Sequence, residues 1–256
     1  MRQSGTKQEN AGRGPAVPLS AIALAVAFLA AAPQPARAVN ECGAEAAGAD
    51  TITCTGASYA TGINYTNSNG LTLNLDNPAM VVQANGTTAV GIVGAVGNNN
   101  DLVINAVNLT SITGTGSPSV LSVRNSGNGR SIIRIDGGAI GGPPAATVRA
   151  ENTAGSGDVL ITLNGGQINS TSNVFSATGV HATSSGSATG SATVVMTGGS
   201  VTMSSAVAFG LRASNSNTVS AAASTVLMSG GTVSSSGMGL YANHFGLGEA
   251  AVMMTG

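Results

Sequence analysis

The 256-residue chain has no tryptophan, four phenylalanines and three tyrosines. Large aromatics usually anchor a globular core, so their scarcity argues against one. Lysine is absent after Lys7, which excludes a phosphate loop of the Gly-rich, Lys-ending kind beyond that point. Charged residues make up only 7% of the chain, and Arg124, Arg130, Arg134, Arg149 and Arg212 are the only Lys or Arg residues after Arg37. They are outnumbered by Asp and Glu, so no basic patch suited to nucleic acid is expected. Low charge also argues against disorder, since 42% of residues are apolar and mean hydropathy is +0.26. Cysteine occurs twice, at Cys42 and Cys54, and histidine twice, at His181 and His244.

What is present is a repeat. An apolar alternating run ends in a small polar residue, usually followed by Gly-Gly, a small residue and a β-branched one. Ile133–Ile140, Ile161–Ile168, Val194–Val201 and Val226–Val233 are clear copies. Leu73–Met80 and Val103–Leu109 are weaker ones, and Val252-Met-Met-Thr-Gly256 opens another. The last apolar residue of each run falls at 75, 104, 135, 163, 196, 228 and 254. A period near 30 with strand-like content predicts an all-β solenoid with one coil per repeat. Parallel pairing at about 4.8 Å would then stack Ile135, Leu163, Met196 and Met228. A second phrase recurs in each coil, as Val148-Arg149-Ala150, Val180-His181-Ala182, Leu211-Arg212-Ala213 and Leu240-Tyr241-Ala242, with Val123-Arg124-Asn125 a looser copy. Alternation along a strand puts its middle residue outward. Arg124, Arg149, His181, Arg212 and Tyr241 are therefore expected to form one outward ladder, a candidate surface for an anionic ligand.

Residues 1–38 read as a signal peptide. Arg2, Lys7 and Arg13 precede an Ala-rich apolar stretch, and Ala36-Arg37-Ala38 is an A-x-A site that places cleavage between Ala38 and Val39. A membrane anchor is the alternative, but the run is short and Pro33 and Pro35 follow it. In an oxidising compartment Cys42 and Cys54 are expected to be bridged, with two free thiols as the alternative. Residues 39–65 lack the repeat signature and are expected to cap a helix spanning 66–256. The chain stops within a strand-and-corner unit, so a fragment of a longer protein is expected.

The leader, the segment Cys42–Gly56, the Gly-Ile-Asn-Tyr stretch at 62–65 and the irregular coils together resemble the N-terminal part of an autotransporter passenger (type V secretion) of the pertactin-like class. The resemblance implies a right-handed parallel β-helix and display at the surface of a Gram-negative bacterium. It also implies carriage by a C-terminal outer-membrane β-barrel, which this sequence does not contain; a chain truly ending here would stay periplasmic. A structural stalk with an adhesive role towards a host surface or glycan is the expected function.

Catalysis is not expected, nor is a metal or cofactor. No Gly-x-Ser-x-Gly elbow or Gly-Gly-x-Gly-x-Asp calcium repeat occurs. His181 shares its phrase position with Arg and Tyr, which does not suit a catalytic base. The rival is a secreted carbohydrate-active β-helix. Asp76 and Asp136, after their core strands, would lie two rungs apart, near the upper limit for an inverting pair. Asp, Asn, Ser and Thr before Gly-Gly are also ordinary turn residues.

Overall fold

A computed structural model describes residues 42–46, 48–115, 119–205 and 207–255. The leader and the cleavage site between Ala38 and Val39 lie outside the described residues. Among those residues 22 strands form three parallel sheets of eight, seven and seven strands, with no helix. Seven successive coils each contribute one strand to each sheet, Ala250–Met254 adds an eighth to the first, and each strand pairs with its counterparts one coil away. The chain is thus a β-solenoid, as the period requires.

Period-2 alternation fills the interior. In the first sheet Ile135 pairs with Leu163, Leu163 with Met196 and Met196 with Met228, one inward column. Ile133, Ile161, Val194 and Val226 make the column beside it and are fully buried. The second sheet adds Val82, Ile112, Ile140, Ile168 and Val201. The third adds Val148, Val180 and Leu211, with alanines 150, 182 and 213 beside them. Small and β-branched side chains repeat in register in these columns, while the two buried tyrosines, Tyr59 and Tyr65, lie in the lowest coil beside Val82 and Ile92. In the weak copy the register differs from expectation. Ile135 pairs with Ala106, not Ile104, so Asn105 lies beside Arg134 rather than at the corner.

The Gly-Gly corner has two separate causes. The second glycine of each pair, Gly138, Gly166, Gly199 or Gly231, turns with φ between +80° and +84°, a region open to glycine at no steric cost. Three of the four first glycines, Gly165, Gly198 and Gly230, are excluded from bearing a side chain by the backbone of the coil below, Gly137 being the exception. A Cβ at Gly198 would lie against the carbonyl oxygen of Asn164 in the coil below.

The corner between the third sheet and the next coil was not anticipated. Asn125, Asn152, Ser184 and Asn215 form one buried column. The Asn152 side-chain amide donates to Gly157 O (2.8 Å) and to Gly127 O of the coil below (3.1 Å). Asn125 does the same to Gly129 O and Asn100 O, and Asn215 to Ser220 Oγ and Gly190 O. Each asparagine closes its own loop and ties it to the previous coil.

The solenoid starts earlier than expected. Asp50–Cys54 already pairs along its length with Leu71–Leu75, so the coils begin at Asp50 and not at residue 66. They begin without the Gly-Gly signature because Thr55–Ala57 turns this first corner instead. What covers the bottom is the short segment from Cys42. Cys42 and Cys54 are disulfide-bonded, with Cα atoms 5.1 Å apart. Cys54 sits in the inward column under Leu75. Tyr65 Oη donates to Gly43 O (3.0 Å) and Ser68 Oγ to Glu45 Oε1 (2.7 Å). The chain-entropy model gives such a small loop at most about 3 kcal/mol.

Candidate functional site

The outward face of the third sheet collects the residues expected to form a ladder. Arg149 pairs with His181, His181 with Arg212 and Arg212 with Tyr241. Arg124 does not belong to this column. Arg149 is in register with Ser122, and Arg124 with Glu151. Val123-Arg-Asn resembles Val148-Arg-Ala, but Leu121 is the true counterpart of Val148. Arg124 stays on the outward face, one column across and two residues along. The ladder is also less open than expected, its four members being half-buried.

Phe209 belongs to the same site and was missed. It lies three residues before Arg212, which strict alternation would put on the opposite face. Gly210 and Leu211 both face inward, however, a Cβ at Gly210 being directed at Val233 of the core. Phe209 therefore returns to the outward side. Its ring centroid is 4.9 Å from that of Tyr241. The Arg212 guanidinium lies 5.1 Å from the Phe209 centroid and 5.6 Å from that of Tyr241, within cation–π range. The Phe-Gly-Leu-Arg phrase was the available signal.

Glu151 governs the lower end. It accepts from Arg149 Nη2 (2.9 Å) and Ser185 Oγ (3.0 Å), and Arg124 Nε is 3.6 Å away. Among the described residues Arg212 has no carboxylate at ion-pair distance. The Nε atoms of Arg149 and Arg212 are buried and lack hydrogen-bond partners. Below Arg149 the column shrinks to Ser122 and Gly91. This opens a hollow of about 350 Å³ bounded in part by Arg124, Arg149 and Glu151. A larger one, of about 590 Å³, lies on the second sheet and is lined by uncharged residues including Gln83, Thr113, Gly141 and Asn169.

His181 stands between two arginines, with Nε2 2.8 Å from Ser214 Oγ. Burial, then the charges of Arg212 and Arg149, pull its pKa down to about 3, so it is neutral at neutral pH. The unfolded chain, with an ordinary imidazole near 6.5, binds this proton more readily. Stability is therefore expected to fall as pH drops from about 6.5 towards 3, by up to about 1.4 kcal/mol per pH unit. Unfolding midpoints for the protein and His181→Gln between pH 7 and 4 test this. The variant should lose less, and equal losses would refute it.

The remaining candidates are tied into the frame. Asp136 Oδ1 accepts from Asn164 Nδ2 (2.7 Å), whose Oδ1 accepts from Thr197 Oγ1 (2.9 Å). Asp76 Oδ1 accepts from Asn108 Nδ2 (3.0 Å). Both carboxylates thus take part in side-chain ladders between successive coils at the corner, where the turn reading expected bonds to the local backbone. His244 ends a strand, in register with Asn215, and its Nε2 accepts from Gly248 N (2.8 Å).

No protein-family model, curated protein or solved structure was found to match this chain.

Proposed function

We propose that this chain is part of an exported, surface-displayed passenger of the autotransporter kind. It acts as a rigid stalk whose outward sheet faces contact a host surface or glycan, without chemistry of its own. In this reading a C-terminal outer-membrane β-barrel supplies export. The observation that carries the reading is the register. Parallel columns run coil after coil, so a side-chain pattern on one face is repeated along the axis, which suits an extended contact surface. The disulfide at the base and the signal-like leader favour an oxidising, extracytoplasmic setting.

Expression of the complete gene in a Gram-negative host tests it. Brief protease treatment of intact cells should digest the solenoid. Material recovered from the envelope should begin at Val39 and contain no free thiol. A chain that stays in the cytoplasm with Met1 in place and both cysteines reduced would overturn the reading.

A further inference from the structure

The outward face of the third sheet differs in charge from the rest of the molecule. It carries Arg124, Arg149 and Arg212 against one carboxylate, Glu151, in a chain that is otherwise acidic beyond residue 38. Glu151 already engages Arg149 and Arg124. Among the described residues Arg212 has no carboxylate at ion-pair distance, and it lies against the Phe209–Tyr241 ring pair. Two buried guanidinium N–H groups in the same column, on Arg149 and Arg212, lack acceptors.

We propose that this face binds an anionic polysaccharide lying along the solenoid axis. One sugar ring packs on the Phe209–Tyr241 pair and its carboxylate or sulfate meets Arg212. The chain then runs past His181 and Arg149 into the hollow over Ser122 and Gly91. Arg149 and Arg212 stand two rungs apart, about 9.6 Å at parallel spacing, with His181 between them. A polymer with recurring acidic groups meets both. Sugar rings carry apolar C–H faces that suit an aromatic surface, while their charged groups need guanidinium donors. A nucleic acid fits less well, because its dense phosphates would face Glu151 with few cations to offset them. This inference deepens the contact role proposed above and rests on it for its biological setting, but not for its chemistry.

Titration calorimetry on the full chain tests it with four probes: a hexauronate, a sulfated hexasaccharide of the heparin type, a neutral hexasaccharide and a single-stranded oligonucleotide. At least one anionic sugar should bind roughly tenfold or more tighter than the neutral one. Arg212→Gln should weaken that binding by at least about tenfold, and Tyr241→Ala should also weaken it. Glu151→Gln removes the one carboxylate on this face and should tighten it. Unfolding midpoints for each variant establish that it is folded. The proposal is overturned if neither anionic sugar binds, if the neutral sugar binds equally, or if the oligonucleotide binds as well. It is also overturned if folded Arg212→Gln and Tyr241→Ala bind like the parent. Binding by purified protein does not depend on where cells place it, so this outcome and the surface-display outcome can fail separately.

Discussion

Gly198→Ala is expected to destabilise the solenoid by about 2–3 kcal/mol, while Gly137→Ala stays within about 0.5 kcal/mol of the parent. Neither glycine lies in the left-handed region, so the contrast does not come from φ. It comes from what lies underneath. At 198 the new Cβ would meet the Asn164 carbonyl oxygen, which belongs to backbone and cannot rotate away. At 137 the nearest atom is Val107 O, 3.2 Å away, a separation that a shift of a few tenths of an ångström relieves. Replacing glycine also restricts the unfolded chain, which favours the folded state by about 0.4–1 kcal/mol. That gain offsets the small strain at 137 and is overwhelmed at 198. In a domain of this size the larger loss corresponds to a fall of about 4–12 °C in unfolding midpoint. Equal midpoints for the two variants would show that the coils can spread, and that the close approach at the first glycine is not what selects it.

Asn152→Asp is expected to cost more, about 3 kcal/mol or above at pH 7. The substitution keeps shape and volume, so packing is untouched. It removes the amide that donates to Gly157 O and Gly127 O and points a carboxylate at two carbonyl oxygens. Asn152 is fully buried, so water cannot replace the lost donors. Burial raises the pKa of the new carboxyl and protonation restores one donor, so the variant should regain part of the deficit relative to the parent as pH falls from 7 towards the ordinary carboxylate value of about 3.9. Denaturant unfolding of both proteins at pH 7 and 4.5 measures this. A deficit under 1 kcal/mol at pH 7, or one that grows on acidification, would contradict the role given to the asparagine column.

These two corners also mark how much was legible in the sequence. The Gly-Gly corner was readable because it recurs with nearly constant spelling. The asparagine corner was not, because Ser184 interrupts the column and the loops that the amides close differ in length. Asn125 reaches Gly129 and Asn152 reaches Gly157, so no fixed spacing marks them. Columns could be read where both neighbours of a residue were apolar, as around Ile135 and Leu163. They slipped where Ala106 stood for a larger core residue, and where Val123-Arg124 imitated Val148-Arg149. A slip of two residues keeps a side chain on the same face, which is why Arg124 was put on the right surface and in the wrong column. Phe209 was hidden because a local break in alternation, invisible to a period-2 rule, turned it outward.

The disulfide at the base has a kinetic consequence. Every strand pairs with one a single coil away, so each new coil closes a loop of similar length and meets a similar entropic barrier. The hard step is the first, when a lone coil has no finished surface to grow on. Cys54 belongs to the lowest coil and is disulfide-bonded to Cys42, so that coil is expected to be partly ordered before any neighbour exists. Folding then resembles growth from a seeded end, with order spreading upward rung by rung. Reduction should lengthen the lag before the first protected amides appear and leave the later rate of spread almost unchanged. Pulsed hydrogen exchange during refolding would separate the two, and a uniform slowing of every coil would contradict growth from that end.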